Sequence, residues 1–272
     1  MRTKIFASLI VFITFTLTGG CTSATSTSTA MPTNPPATST PTALPTNPPG
    51  PTILQYIGHS CTFITAPDGT RIISDPYGDH PSALASFPDD LAADVVTVSH
   101  FHPDHSNVSA VKGKPKIIFN PGSFQVGMVK ITGYKGDHGL VNGKSSGENT
   151  VFVFEIGEVK IVHLGAAGVV TQSDILAAME NADVIILDIM GDAAHPLKDE
   201  LDQLLERNVQ TIIPTHYSFD ENPRYYGSAT LDEFLQIVPS DLAIVRRGSA
   251  LQITANMPKQ LVILAPAANE NQ

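Results

Sequence analysis

From residue 53 onward the chain alternates short apolar, β-branched runs with polar breaks. The first are ILQYI (53–57), CTFIT (61–65), RIIS (71–74), DVVTVS (94–99), KIIF (116–119) and MVKITGY (128–134). Their lengths and residue types predict strands. NTVFVFEI (149–156) and EVKIVHL (158–164) meet at Gly157 and predict a hairpin. DVIILDI (183–189), VQTIIPT (209–215), LAIVRR (242–247) and ALQIT (250–254) add further strands. Helical spacing appears in SDILAAMEN after Gln172, in PLKDELDQLLERN, where Pro196 suits a first turn, and in TLDEFLQIV from Thr230. A strand-rich first half followed by alternating helices and strands predicts an α/β (α+β) domain, with a two-layer sheet core and helices packed outside.

Before residue 53 the pattern is different. Arg2 and Lys4 precede an apolar run from Ile5 to about Leu17, and two glycines then lead to Cys21. This is the form of a secretory signal. A bilayer-spanning helix needs about 20 apolar residues, more than this run offers. Small residues before a cysteine resemble the lipobox of bacterial lipoproteins, which would make Cys21 the lipidated first residue of a mature chain held on the extracytoplasmic face of the cell membrane. Thr18 stands where that pattern usually has Leu, with Leu17 one place upstream. A plain cleaved signal or an uncleaved anchor are the alternatives. Residues 22–52 are almost wholly Thr, Ser, Pro, Ala and Asn. Such a segment cannot bury enough apolar surface to offset the entropy of ordering, so it reads as a tether. The organisation expected is therefore a signal at 1–21, a tether at 22–52 and one domain at 53–272.

Composition narrows the function classes. Of the 272 residues 42% are hydrophobic, and no internal repeat argues for a solenoid. The formal net charge of −10 argues against a nucleic-acid partner, which would need clustered Lys and Arg. With Cys21 lipidated, Cys61 is alone and lies in an apolar run, so a buried structural thiol is expected and no intrachain disulfide.

The chemistry concentrates in SHFHPDHSNV. A strand ending at Ser99 is followed by His100, His102, Asp104 and His105 within six residues. Extended backbone puts His100 and His102 on one side, and Pro103 then breaks regular structure so that Asp104 and His105 turn back towards the same space. Imidazoles with a carboxylate suit zinc or another first-row divalent ion such as iron or manganese.

HFHPDH matches the H-x-H-x-D-H signature of the metallo-β-lactamase superfamily. The flanking runs resemble its lactonase-like branch, which includes ascorbate-6-phosphate lactonase and zinc-dependent hydrolases. That branch has a G-H-S motif, here Gly58, His59 and Ser60, then a D-P motif, here Asp75 and Pro76, and a His after an apolar strand, here His216 in IIPTHY. The likeness runs from about Ile53 to about Tyr217. It implies a four-layer αββα sandwich with metals at one edge. It implies His100, His102 and His138 as ligands of a first ion, and Asp104, His105 and His216 as ligands of a second. His59 and His163 are candidates to steady ligands or bind substrate, with a structural role as the alternative; His80 and His195 are assigned none.

One position departs from the family. Where a H-L-G-D stretch supplies a carboxylate bridging both metals, this chain has His163, Leu164, Gly165 and Ala166. A methyl group binds no metal, so a single ion is the first expectation, two ions bridged otherwise the second, and loss of hydrolysis the third. Asp174 and Asp188 are near enough in sequence to be considered as substitutes. The function expected is hydrolysis of a small ester, lactone, amide or phosphoester, with one or two zinc ions acidifying a water and Asp104 orienting it or taking its proton. A non-catalytic metal-binding lipoprotein is the rival. A di-iron redox enzyme is disfavoured because its bridging carboxylate is absent too.

Overall fold

The computed structural model describes residues 50–78, 86–142, 144–190, 195–218 and 229–267. The chain divides into two units, Met1–Thr46 and Asn47–Gln272, and the described residues all belong to the second. Cys21, His80 and the signal lie outside them.

The strands in chain order are β1 Thr52–Gly58, β2 Cys61–Thr65, β3 Arg71–Ser74, β4 Val95–Thr97, β5 Lys116–Ile118, β6 Gly122–Val126, β7 Val129–Asp137, β8 Leu140–Val141, β9 Lys144–Ser145, β10 Glu148–Ile156 and β11 Val159–His163. Helix α1 Ser173–Met179, β12 Val184–Asp188, α2 Leu197–Glu206, β13 Thr211–Thr215, α3 Leu231–Ile237, β14 Ala243–Arg247, β15 Ala250–Ile253 and β16 Gln260–Leu264 follow. One sheet has the order β15-β1-β2-β3-β4-β5 and the other β14-β16-β13-β12-β11-β10-β7-β6, while β8 and β9 pair separately.

Alternation along the strands decides which residues meet between the sheets. In the smaller sheet, Leu54, Ile64, Ile72 and Val95 point into the main core, and Ile73 and Val96, one residue on, point the other way. That outer face is covered by Tyr77, Phe87, Ala93 and Val111, and Cys61 is buried among them as a free thiol, as expected. The described α-helices bury Ile175 and Met179 of α1, Leu201 and Leu204 of α2, and Phe234 of α3 in the main core. Strands β12 and β13 are buried at every position, which is why their sequences are continuous apolar runs and not alternating ones. At the start of α3, Thr230 and Glu233 cap each other reciprocally.

The fold is the mixed α/β arrangement expected, two sheets with helices, with additions. Strand β16, from QLVIL, sits between β13 and β14 and was not among the expected strands, although its apolar run is as plain as the others. The omission of β6 has a physical reason: GSFQV is an edge strand with no fully buried residue, so it carries no strong pattern.

What positions the chemistry is strand direction. Strands β3, β4 and β5 are mutually parallel, as are β11, β12 and β13. Their carboxyl ends release, side by side, the segments that carry Asp75, His100 to His105, His163 to Ala166, Asp188 and His216.

Candidate metal centre

Seven side chains converge at this edge in two groups. The inner group is His59, Asp104, His105 and His216; the outer is His100, His102 and His138. Within each, the ligand atoms all lie within 4.8 Å of one another. The groups adjoin, with the rings of His100 and His105 4.1 Å apart.

The backbone is bent to deliver these residues. His59, Asp75 and His216 have φ of 52°, 50° and 59°, in the left-handed region that costs about 1–3 kcal/mol when not glycine. His and Asp tolerate it better than most. His216 donates its backbone N–H to the His59 carbonyl at 2.8 Å, so the two strained residues hold each other. Gly165, φ 55°, is a genuine requirement: a Cβ there would meet Ser99 Cβ at 2.5 Å.

Asp75, quoted above only as part of a motif, organises both groups. Its carboxylate accepts from the Ser99 backbone N–H at 2.7 Å and from Ser99 Oγ at 2.5 Å. It also pairs with His105 Nδ1 at 3.0 Å. A carboxylate only accepts, so His105 donates from Nδ1 and its Nε2 lone pair faces the inner group. Ser99 Oγ, having given its proton to Asp75, accepts from His100 Nδ1 at 3.0 Å. The Nε2 of His100 is thereby turned to the outer group, 3.1 Å from His102 Nδ1. One carboxylate thus sets the tautomers of a histidine in each group.

Asp188 is a second buried carboxylate. It accepts from Ser60 Oγ at 2.8 Å and from Thr215 Oγ1 at 2.7 Å, and is held by those hydroxyls outside both donor groups. Asp174 is exposed at the start of α1, where its carboxylate accepts from the Ile175 N–H, and joins neither group. His163 is fully buried; its Nε2 donates to the Ser60 carbonyl at 3.2 Å and its Nδ1 accepts from the Gly165 N–H at 3.1 Å. It therefore ties the loop of His59 and Ser60 to the loop of Gly165, a structural role. Ala166 is fully buried, with its N–H on Asn149 Oδ1 and its carbonyl 3.3 Å from His195 Nε2.

His195 is the residue that sequence reasoning missed. It is buried, with its ring 5.5 Å from that of His138. No local pattern pointed to it, because only the packing of the segment before α2 against the β7 end brings the two rings together.

The charge states suit a cation. Burial, then His216, push His59 down to about 4 despite Asp104. Burial and then His105 hold His100 far below the usual imidazole range, and burial and then His216 do the same to His105. His138 is lowered by burial and then by His195. These rings are neutral near pH 7, the state that binds metals. Burial opposes both charging His216 and ionising Asp104. The His216 and His59 imidazoles nevertheless hold Asp104 well below the usual carboxylate range, and Asp104 and Asp188 raise His216.

The fit to a metal has direct support. His138 Nε2, in the outer group, and His216 Nε2, in the inner, are buried and form no hydrogen bond; the latter lies 3.5 Å from Asp104 Oδ2 outside hydrogen-bond geometry. A buried polar atom without a partner is costly, and a metal ion would satisfy both.

Two β-sheets packed face to face with a histidine and aspartate cluster at the strand ends define a metallo-β-lactamase-type protein. Comparison with known proteins agrees: the profile of the family described as Beta-lactamase superfamily domain matches residues 53–216, and the chain belongs to that family. A metal-dependent hydrolase of Thermococcus onnurineus is 26% identical over 227 residues, covering 74% of this chain and 99% of the relative. One from Natranaerobius thermophilus is 24% identical over 190 residues, covering 61% and 83%. Among solved structures, a Zn-dependent hydrolase of the metallo-β-lactamase superfamily from Thermotoga maritima superposes with a TM-score of 0.62 at 28% identity, over 78% of this chain and 98% of that one.

Proposed function

We propose that the protein is a metal-dependent hydrolase acting outside the cytoplasm on a small ester, lactone, amide or phosphoester. The observation that carries this reading is the pair of adjoining donor groups, each with a buried imidazole nitrogen that has no protein partner. His100, His102 and His138 would hold one divalent ion, and Asp104, His105 and His216 another. When bound, the metal supplies Lewis acidity, polarising the oxygen under attack and acidifying a water. Asp104 has Oδ2 among the imidazoles, which leaves Oδ1 to accept a hydrogen bond from a water and orient it. His102 is exposed and His138 half-buried, so substrate arrives on the outer side. The same cleft as His100 is walled by Phe101, exposed at 70%, and Phe119, whose rings meet edge to face 5.4 Å apart. That wall favours an apolar group beside the bond that is cut.

The location follows from the sequence alone: lipid on Cys21 and the tether at 22–52 would hold the domain at the membrane's outer face. No helix among the described residues is long and apolar enough to cross a membrane. Labelling with a radioactive fatty acid is expected to mark wild type and not Cys21→Ala; equal labelling would end the lipoprotein reading.

Ala166 favours one rival, a metal-binding protein without turnover. The full-length chain, purified without chelators, is expected to contain metal and to hydrolyse at least one of a panel of lactones, aryl esters and phosphodiesters, with His100→Ala inactive. Metal without turnover of any of them supports the rival; no metal even after reconstitution sinks both.

A further inference from the structure

Three imidazole Nε2 atoms surround a single carboxylate oxygen in the inner group. His59 is 2.9 Å, His216 3.5 Å and His105 3.9 Å from Asp104 Oδ2. Donors about 2.0–2.2 Å from a tetrahedral zinc stand roughly 3.3–3.6 Å apart, and these distances bracket that spacing. His105 cannot donate to Asp104, because its one proton is committed to Asp75; its lone pair faces the carboxylate, an arrangement that a cation between them relieves. His216 Nε2 is buried without a hydrogen bond. His59 comes to the same point by design of the backbone. It shares the left-handed strain and the 2.8 Å backbone bond with His216, and their rings are 4.0 Å apart.

We propose, building on the hydrolase reading, that His59 is the fourth ligand of the inner metal, so that His59, Asp104, His105 and His216 close that site while His100, His102 and His138 form a three-donor site. Four protein donors make a structural zinc site; three leave a position for water and substrate. The family's bridging carboxylate, lacking at Ala166, is then replaced at the inner ion by an imidazole from the opposite sheet. The work divides accordingly: the inner ion staples β1 to the β13 end, and substrate meets the outer one. The competing role for His59 is to donate a hydrogen bond to Asp104, without touching the metal.

Cobalt(II) separates the two, because the positions of its visible bands follow the donor set: replacing a ligating imidazole by water shifts them, whereas losing an outer-sphere partner leaves the donor set intact. In the full-length chain with His102→Ala, which disables the outer group, one Co(II) per chain with intense absorption is expected. Adding His59→Ala is expected to shift those bands as water replaces an imidazole, and to weaken binding by more than about 100-fold, beyond the ~10–100-fold that losing an outer-sphere partner costs. His59→Gln, which keeps a hydrogen-bond donor but no imidazole, is expected to shift the bands as well. Unshifted bands in either His59 variant overturn the proposal and leave the hydrolase reading standing. If His102→Ala does not fold, the same comparison in the wild-type background applies, with two ions falling to one on His59→Ala. Absence of Co(II) binding by wild type overturns both.

Discussion

The two donor groups, built from adjoining residues, are opposites in environment. The inner group is buried at nearly every position and draws on both sheets: His59 after β1, Asp104 and His105 after β4, His216 after β13. The outer group has one exposed and one half-buried histidine, and two of its three members come from one short loop. A burial gradient of this kind assigns roles: a site shut off from water and backed by Asp75 and Asp188 suits a permanent ion, whereas a site that solvent reaches suits exchange of water and substrate.

The largest effect is expected from Asp75→Ala. It strips an acceptor from Ser99, from His105 and, through Ser99, from His100, so both groups lose their orientation. Stability is expected to fall by about 3 kcal/mol, and metal affinity by about 10–100-fold at both sites, measured by thermal unfolding and competitive metal titration. A loss confined to one site would mean that the Ser99 relay to His100 carries nothing. Next comes Asp188→Asn, which keeps partners for Ser60 and Thr215 but removes a charge that raises His59, His105 and His216 together. The inner ion is expected to weaken about tenfold and the outer to change less; a larger change at the outer ion would erase the distinction.

Ala166→Asp returns the carboxylate that the family places there. Ala166 is linked through His195 to the side of His138, so binding at the outer group is expected to tighten by about tenfold, with little change at the four-donor inner group. Equal tightening at both would show that the inner site lacks its fourth ligand. The smallest effect is a control remote from both groups. Arg71 pairs with Asp94 at 3.2 Å on the exposed edge and holds its carboxyl below the usual value. Asp94→Ala is expected to cost about 0.2–1 kcal/mol and leave metal content unchanged. Because the folded-state value is the lower one, that contribution is present above the ordinary carboxylate pKa and fades as pH falls through the folded-state value, which a pair of urea titrations at neutral and acid pH would detect.

Much of this architecture is readable in the chain, and the unread parts have physical causes. Twelve expected strands and three helices are found close to where the apolar pattern put them. The six ligand candidates lie within the two clusters of four and three donors. The addition of His59 to the second group, the role of Asp75 and the approach of His195 to His138 were not readable. Each depends on contacts between residues far apart in sequence, such as the 45 positions between His59 and Asp104.

Local chemistry along the chain was enough to determine the strands, the helices and the histidine loop after β4, because each is a matter of residue type and short-range spacing, while the carboxylate missing at residue 166 showed only through the family resemblance. Only the tertiary structure decided that Asp75 would serve both groups, that Asp188 would be held apart by Ser60 and Thr215, and that His59 would meet Asp104. Those outcomes depend on which strand ends lie side by side once two sheets have packed, and periodicity within a strand contains no information about its neighbours.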